Sequence, residues 1–256
     1  MHSIFISGAA QGIGAAVAKQ FYQKGYTVGI YDLNVDKAKT VAATLGEHAY
    51  AGHLDVSDYN SWQTALTEFE AFAGEINILV NNAGILYSGD FDRSDISDHH
   101  RTIDINVKGV INGCHAVLPF LKRASFARVI NLSSASAIYG QADLVSYSAS
   151  KFAVRGLTEG LDVEWQKYGI RVLDVMPLFV QTAMVKDMDA ASIQKMGVNL
   201  SPEDVAKEIL KLVKSKDHLL SATHHPVGLK SQFLFQLSKL SPQFVNRLSN
   251  IMIAKK

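Results

Sequence analysis

The stretch SIFISGAAQGIG, residues 3–14, joins a β-branched run, a glycine-rich turn and the start of a helix. SIFIS (3–7) reads as a strand, and the helix runs from about Gly12 to Lys24. Gly8, Gly12 and Gly14 between them let the backbone turn tightly and approach a pyrophosphate. That group then sits at the helix N-terminus, among N–H groups with no partner inside the helix. The spacing is G-x-x-x-G-x-G rather than the commoner G-x-G-x-x-G. A glycine turn alone is weak evidence; one set between a strand and a helix, opening a βαβ unit, is much stronger.

Working outward, the same alternation continues. TVGIY (27–31) is a second strand and DKAKTVAATL (36–45) a helix of high propensity. HAYAGHL (48–54) is followed by a helix capped at Ser57 or Asp58, and INILV (76–80) suits a strand buried on both faces. A long helix spans roughly 97–121 and ends near Pro119, and ARVINLS (127–133) is the next strand. A helix then runs from Tyr147 to about Tyr168, GIRVLDVM (169–176) stops at Pro177, and HLLSATHH (218–225) is a candidate last strand. Strands alternating with helices require parallel, right-handed crossovers. The expected fold class is therefore α/β, a Rossmann-type doubly wound parallel sheet with helices on both faces. The expected division is a catalytic domain over 1–223, with a substrate loop at 178–201, and a C-terminal helical extension over 224–256. That extension would pack on the same domain or on a partner subunit.

Composition narrows the function classes. Of 256 residues, 48% are hydrophobic and 19% charged, ample for a core, and the net charge of +1 gives no pull toward nucleic acid. No apolar run nears the roughly 20 residues needed to cross a bilayer. No secretory signal is read at the N-terminus, and the single cysteine, Cys114 in GCHAVLPF, reads as a core residue of a reducing compartment. A cytoplasmic location is expected. His224 and His225 are adjacent, so they point oppositely, and no carboxylate or cysteine joins them in the sequence; no metal site is expected.

Two further constellations carry chemistry. Asp32 closes the second strand, twenty residues after Gly12. A carboxylate there accepts hydrogen bonds from adenosine ribose hydroxyls and repels a 2′-phosphate. Neither YDLN nor GAAQG offers such a phosphate a cation. NAD is therefore expected over NADP, with a helix-capping role as the alternative for Asp32. In YSASK (147–151), Tyr147 and Lys151 stand four apart, one above the other on a helix. A neighbouring cation favours the phenolate. Taken alone, this pair is equally compatible with a solvated helix face.

GAAQGIG, NNAG (81–84), Ser134, Tyr147 and Lys151 together resemble the short-chain dehydrogenase/reductase family, over about residues 3–182. The resemblance implies an oxidoreductase that interconverts an alcohol and a ketone. Tyr147 would be its general acid/base, Lys151 would lower the phenol pKa together with the positive nicotinamide ring and would hold the nicotinamide ribose, and Ser134 would hold the substrate oxygen. Asn106, in DINVKG, would sit at a helix kink holding a water linked to Lys151; an exposed helical asparagine is the alternative. Ser7, Gly8, Gln11, Gly12, Ile13 and Gly14 would bind the cofactor's phosphates. Asp55 and Val56 would contact the adenine, with Asp55 alternatively a helix cap. Asn82, Ala83 and Gly84 would support the cofactor, and Pro177, Val180 and Thr182 would meet its carboxamide.

Two departures from the family stand out: Ser7 replaces a threonine, and Leu178 replaces the glycine after Pro177. Leucine does not adopt a positive φ easily, so the loop path is expected to differ there. Met184, Val185, Met188 and Met196 would present an apolar wall that Ile138, Tyr139 and Leu144 face. The expected substrate is an apolar secondary alcohol or ketone of steroid, terpenoid or fatty kind. The competing readings are an NADPH-dependent carbonyl or 3-oxoacyl reductase and a non-catalytic nucleotide sensor. A homodimer paired through the helices 97–121 and 147–168 is implied, and a tetramer is not. The apolar stripe in 230–256, split by Pro242, leaves three roles open: a cover over the cleft, a subunit contact, or a weak contact with a membrane surface.

Overall fold

Ile4 and Ile6 enter one hydrophobic cluster and Phe5, between them, enters another. That period-two sorting is what a strand covered on both faces produces. The structure, a computed structural model, describes residues 1–186, 197–216 and 221–254. Its strands are β1 (Ser3–Ser7), β2 (Thr27–Asp32), β3 (Ala49–His53), β4 (Ile78–Asn81), β5 (Arg128–Leu132), β6 (Arg171–Pro177) and β7 (His224–Val227). All pair in parallel, in the order β3-β2-β1-β4-β5-β6-β7. The order reverses between β1 and β4, which opens a crevice at their carboxyl ends. Seven parallel strands between two helical layers are the doubly wound arrangement read from the sequence.

Helices α1 (Gly12–Tyr22) and α2 (Val35–Leu45) cover the face carrying Ile4 and Ile6. Helix α3 (Tyr59–Ala73) covers the face carrying Phe5, through Trp62, Leu66 and Phe69. Phe5 stacks on Tyr31 at 4.2 Å between centroids, and the buried Trp62 indole donates to the Val56 carbonyl at 3.1 Å. Burying each such side chain contributes roughly 1.5–3 kcal/mol.

The long helix of the sequence reading is three pieces: α4 (Ile96–Ile103), a π-helical turn (Asp104–Lys108) and α5 (Gly109–Leu121). The Gly109 N–H reaches back five residues to the Asp104 carbonyl, so one extra residue is inserted into the ladder. The insertion carries Asn106 fully inside, at 0% exposure, and removes the exposed alternative. Helix α6 (Val145–Glu164) carries YSASK and ends in a short 3₁₀ turn to Tyr168.

Beyond β6, a short helix α7 (Ala183–Lys186) precedes α8 (Pro202–Lys214), which opens on a Ser201/Asp204 capping box. The last strand falls at His224–Val227, so only its first two residues coincide with the expected 218–225. It pairs with β6, so residues 224–227 belong to the sheet and not to an appendage beginning at 224. Helices α9 (Leu229–Leu240) and α10 (Gln243–Ala254) follow, separated around Pro242. Helix α9 is anchored by the buried Phe235 and by Ser231, whose hydroxyl donates to the Met176 carbonyl at 2.7 Å. No described helix is long and apolar enough to cross a membrane.

Candidate active site

A cleft of about 340 Å³ runs along the carboxyl ends of the strands, from Asp32 and Asp55 at one end to Tyr147, Leu178 and Met184 at the other. The turn after β1 forms its floor. Gly8 sits at φ +65°, and a Cβ there would stand 2.7 Å from Ala83 Cα, so only glycine fits. Asn82 donates from Nδ2 to the carbonyls of Ser7 at 3.0 Å and Gly8 at 2.8 Å. The Ser7 hydroxyl in turn accepts from the Asn82 and Ala83 N–H groups at 3.1 and 3.2 Å. The two turns are thus locked together. Ser7 and Gly14 lie behind the lining, whereas Gly8, Gln11, Gly12, Ile13, Asn82, Ala83 and Gly84 form it.

At one end the Asp32 carboxylate accepts from Ala10 N–H at 3.0 Å and Asn34 N–H at 2.9 Å. Asn34, not Asp32, caps the helix that follows. Asp32 therefore stands oriented at the cleft wall, with acceptor capacity left over. Asp55 lines the cleft beside Val56 and accepts from Ser57 N–H at 2.9 Å, but Asp58, which accepts from Asn60 N–H at 2.9 Å, caps the helix that follows, so the capping alternative for Asp55 does not hold. Among the described residues that line the cleft, Lys151 is the sole cation. This lining suits a dinucleotide: glycine amides would meet its phosphates, and Asp32 would accept from a ribose hydroxyl.

Helix α6 and the end of β5 supply the reacting end. Lys151 donates to the Leu132 carbonyl at 2.7 Å, which leaves two of its three N–H bonds for the cleft. Its Nζ lies 5.4 Å from the Tyr147 ring centroid. Ser134 caps a 3₁₀ turn (Ala135–Ala137): it accepts from Ser136 N–H at 3.1 Å and donates to the Ser136 hydroxyl at 3.2 Å. That hydroxyl passes the chain on to Gln141 Oε1 at 3.2 Å. Asn106 spends its amide on the loop after NNAG, accepting from Ile85 N–H and donating to Ile85 C=O, both at 2.8 Å. It also donates to Ser150 at 3.2 Å, which ties the π turn to the helix of Tyr147 and Lys151.

In the chain alone, burial is the leading influence on both groups. Burial pushes Tyr147 up to about 12, against a hydrogen bond with Ser134 that pulls it down. Burial also pulls Lys151 down to about 8. The physical reason is shared: both groups lie on a wall poor in water, which disfavours phenolate and ammonium alike.

The apolar wall also differs from the sequence reading. Met184 and Val185 line the cleft with Leu86, Leu178 and Phe179. Ile138 and Leu144 do not. Ile138 packs inward with Ala135, Met176 and Phe235, and Leu144 is buried against Phe179, because the turn after Ser134 folds back onto β6 and α9. Tyr139 joins the same inner cluster as Ile138. Met188 and Met196 lie outside the described residues. Leu178 adopts no positive φ, so leucine is accommodated there without backbone strain. Val180 bridges to Leu200 and pins the two ends of the substrate loop together, while Pro177 and Thr182 line the cleft. Ser136 and Leu86, absent from the sequence reading, line it too. The serine-rich run around Ser134 signals a hydroxyl turn, but nothing local marks Leu86.

His224 departs most from expectation. Asp174 at 2.7 Å and Glu159 at 2.6 Å flank its two ring nitrogens, brought there from β6 and α6. Cys114 is buried, and burial pushes its thiol up to about 12, as suits a core residue. Among the described residues no group of three or more His, Cys, Asp or Glu side chains is arranged to hold a metal.

A glycine-floored crevice at the sheet's switch point, ending on Ser134, Tyr147 and Lys151, defines a dinucleotide-dependent oxidoreductase. The family described as "short chain dehydrogenase" matches residues 2–192, and the chain belongs to that family, whose members act on alcohol groups with NAD(P). The chain is 38% identical over 180 residues to a 3-alpha-(or 20-beta)-hydroxysteroid dehydrogenase of Mycobacterium tuberculosis, covering 70% of this chain and 69% of that one. It is 31% identical over 229 residues to a trans-4-hydroxycyclohexanecarboxylate dehydrogenase of Sinomonas cyclohexanicum, covering 86% and 88%. Among solved structures, a 3-ketoacyl-(acyl-carrier-protein) reductase from Brucella melitensis complexed with NADH superimposes with a TM-score of 0.84. It is 26% identical and covers 90% of this chain and 98% of that one.

Proposed function

We propose that this chain is an NAD(H)-dependent dehydrogenase that interconverts a secondary alcohol and a ketone on an apolar molecule of steroid, terpenoid or fatty kind. One observation carries the reading: a cleft with Asp32 at one end, apolar side chains at the other and Lys151 as the sole cation among its described lining residues. A 2′-phosphate finds no partner there and meets a carboxylate. Leu86, Leu178, Phe179, Met184 and Val185 favour a hydrocarbon framework over a polyol. The hydroxysteroid relative's name agrees with that class, and the hydroxycyclohexanecarboxylate relative's name agrees with a secondary alcohol on a hydrocarbon ring.

When bound, a nicotinamide cofactor would provide the hydride chemistry. The chain's residues handle the proton and the geometry. In reduction, Tyr147 enters as a neutral phenol, consistent with its raised pKa, and gives its proton to the carbonyl oxygen as hydride adds to the carbon. In oxidation Tyr147 would have to act as the phenolate, which its raised pKa disfavours in the chain alone, and take the hydroxyl proton to return to the neutral phenol. Ser134 would hold the oxygen and stabilise its developing charge, and Lys151, bonded once to the Leu132 carbonyl, would have N–H bonds left to hold a ribose. Asn106 positions the loop and the helix between which these groups meet. The protein pairs through the outer faces of α4 to α6, a reading supported by exposed Ile103, Ile111, Phe152 and Val163.

The test is a steady-state panel of apolar secondary alcohols, simple polyols and sugars with NAD⁺ and NADP⁺. The reading expects kcat/KM highest for an apolar alcohol with NAD⁺. A preference for NADPH and acyl ketones would favour the reductase alternative, and turnover with neither cofactor would favour the non-catalytic sensor.

A further inference from the structure

Helix α9 packs on the body through Ser231 and Phe235. On its opposite side, Leu229, Phe233, Leu237 and Leu240 follow at helical spacing and are exposed, Leu229 and Leu240 each at 85%. Helix α10 repeats the arrangement. Asn250 ties it to the body by donating to the Gly140 carbonyl at 2.9 Å, while Phe244, Leu248 and Met252 stand exposed, Phe244 at 72%. Two successive helices thus turn apolar stripes away from the surface that holds them. Monomers rarely leave such a face bare.

Charge identifies what would cover it. From Leu229 onward the sequence holds Lys230, Lys239, Arg247, Lys255 and Lys256 and no acidic residue. With a net charge of +1 over the whole chain, residues 1–228 carry −4, so basic charge is concentrated on this segment. A second copy of the chain would bring the same positive charge to the same place. A surface offering hydrocarbon beneath negative head groups matches both features at once. We propose that α9 and α10 form a face that docks the protein on an anionic lipid surface, with Phe and Leu side chains in the acyl boundary and the segment's excess of Lys and Arg over acidic residues drawing it to the head groups. Gly140 and the turn after Ser134 contact the opposite, held sides of these helices, which leaves the apolar stripes free to face a surface. Docking does not depend on the substrate proposed above, and its readout is binding rather than turnover.

Flotation of the full chain with vesicles tests this. Vesicles of phosphatidylcholine with about 30 mol% phosphatidylglycerol should carry the protein at least roughly tenfold better than pure phosphatidylcholine. The bound protein should be released at about 0.5 M salt. The variant Leu240→Ser/Phe244→Ser/Leu248→Ser should lose at least about tenfold of the binding. Its melting temperature serves as the folding control, and the single Leu240→Ser variant, at an 85% exposed position, replaces it if the triple fails to fold. Equal recovery with both vesicle types, or none with either, overturns the proposal. So does a triple variant that floats like wild type. A loss of self-association in the triple variant without vesicle binding by wild type overturns it as well, and assigns the face to a second copy.

Discussion

Replacing Lys151 by methionine should uncouple stability from function. Lys151 is 6% exposed, and its ammonium has one described protein acceptor, the Leu132 carbonyl at 2.7 Å. Burial lowers its pKa from 10.5 to about 8. That drop corresponds to about 3 kcal/mol of cost for holding the charged form in the folded state near neutral pH. Methionine removes this cost and keeps the stem's packing. It leaves the Leu132 carbonyl unpaired, which costs about 1–3 kcal/mol. The two effects nearly cancel, so the variant should lie within about 2 kcal/mol of wild type at pH 7. The sign with pH follows from the lowered value: the wild-type cost is present below pH 8 and disappears between about 8 and 10.5, so wild-type stability should rise across that window. The variant should lack that rise. Urea unfolding at pH 7 and pH 9.5, at one protein concentration, reads both quantities, and cofactor affinity and turnover should fall in the same variant. A destabilisation well beyond 3 kcal/mol at pH 7, or the same pH slope in both proteins, would refute the claim that the ammonium is held at the fold's expense.

Other outcomes follow from single contacts. Asp32→Ser with Leu33→Arg should lower kcat/KM with NAD⁺ at least about tenfold and raise it with NADP⁺, since the carboxylate goes and a guanidinium arrives. Gly8→Ala forces a Cβ to within 2.7 Å of Ala83 Cα at φ +65°, so NADH binding by fluorescence titration should be lost and stability should fall by about 1–3 kcal/mol. His224→Leu leaves the fully buried Asp174 without its 2.7 Å partner and should cost about 3–5 kcal/mol in urea unfolding at pH 6. Burial opposes the His224 imidazolium, but Asp174 and Glu159 overcome it and raise its pKa. The clamp's contribution is therefore full below about pH 6.5 and lost as pH climbs through the raised value, so the His224→Leu deficit should shrink in alkali.

What the sequence made legible was local. The parity of SIFIS, the glycines that follow it and the four-residue step from Tyr147 to Lys151 each depend on backbone periodicity alone, and each sits where that periodicity puts it. Asn106 was marked by its poor helix propensity, and the π turn explains it. The readings that differed needed contacts between distant residues. Ile138 and Leu144 turned inward because Met176, Phe179 and Phe235 receive them. The partners of His224 lie 50 and 65 residues away in sequence. Spacing also predicted that Tyr147 and Lys151 are neighbours without revealing how far the surrounding protein buries them, and burial is the leading cause of both pKa shifts.

The most direct test of the account is Tyr147→Phe, measured as oxidation of an apolar secondary alcohol with NAD⁺ and, separately, as NADH binding. Removing the phenol oxygen should lower turnover by about 10²–10⁴-fold while NADH binds within about twofold of wild type. A variant that keeps more than about a tenth of wild-type turnover would show that Tyr147 does not carry the proton.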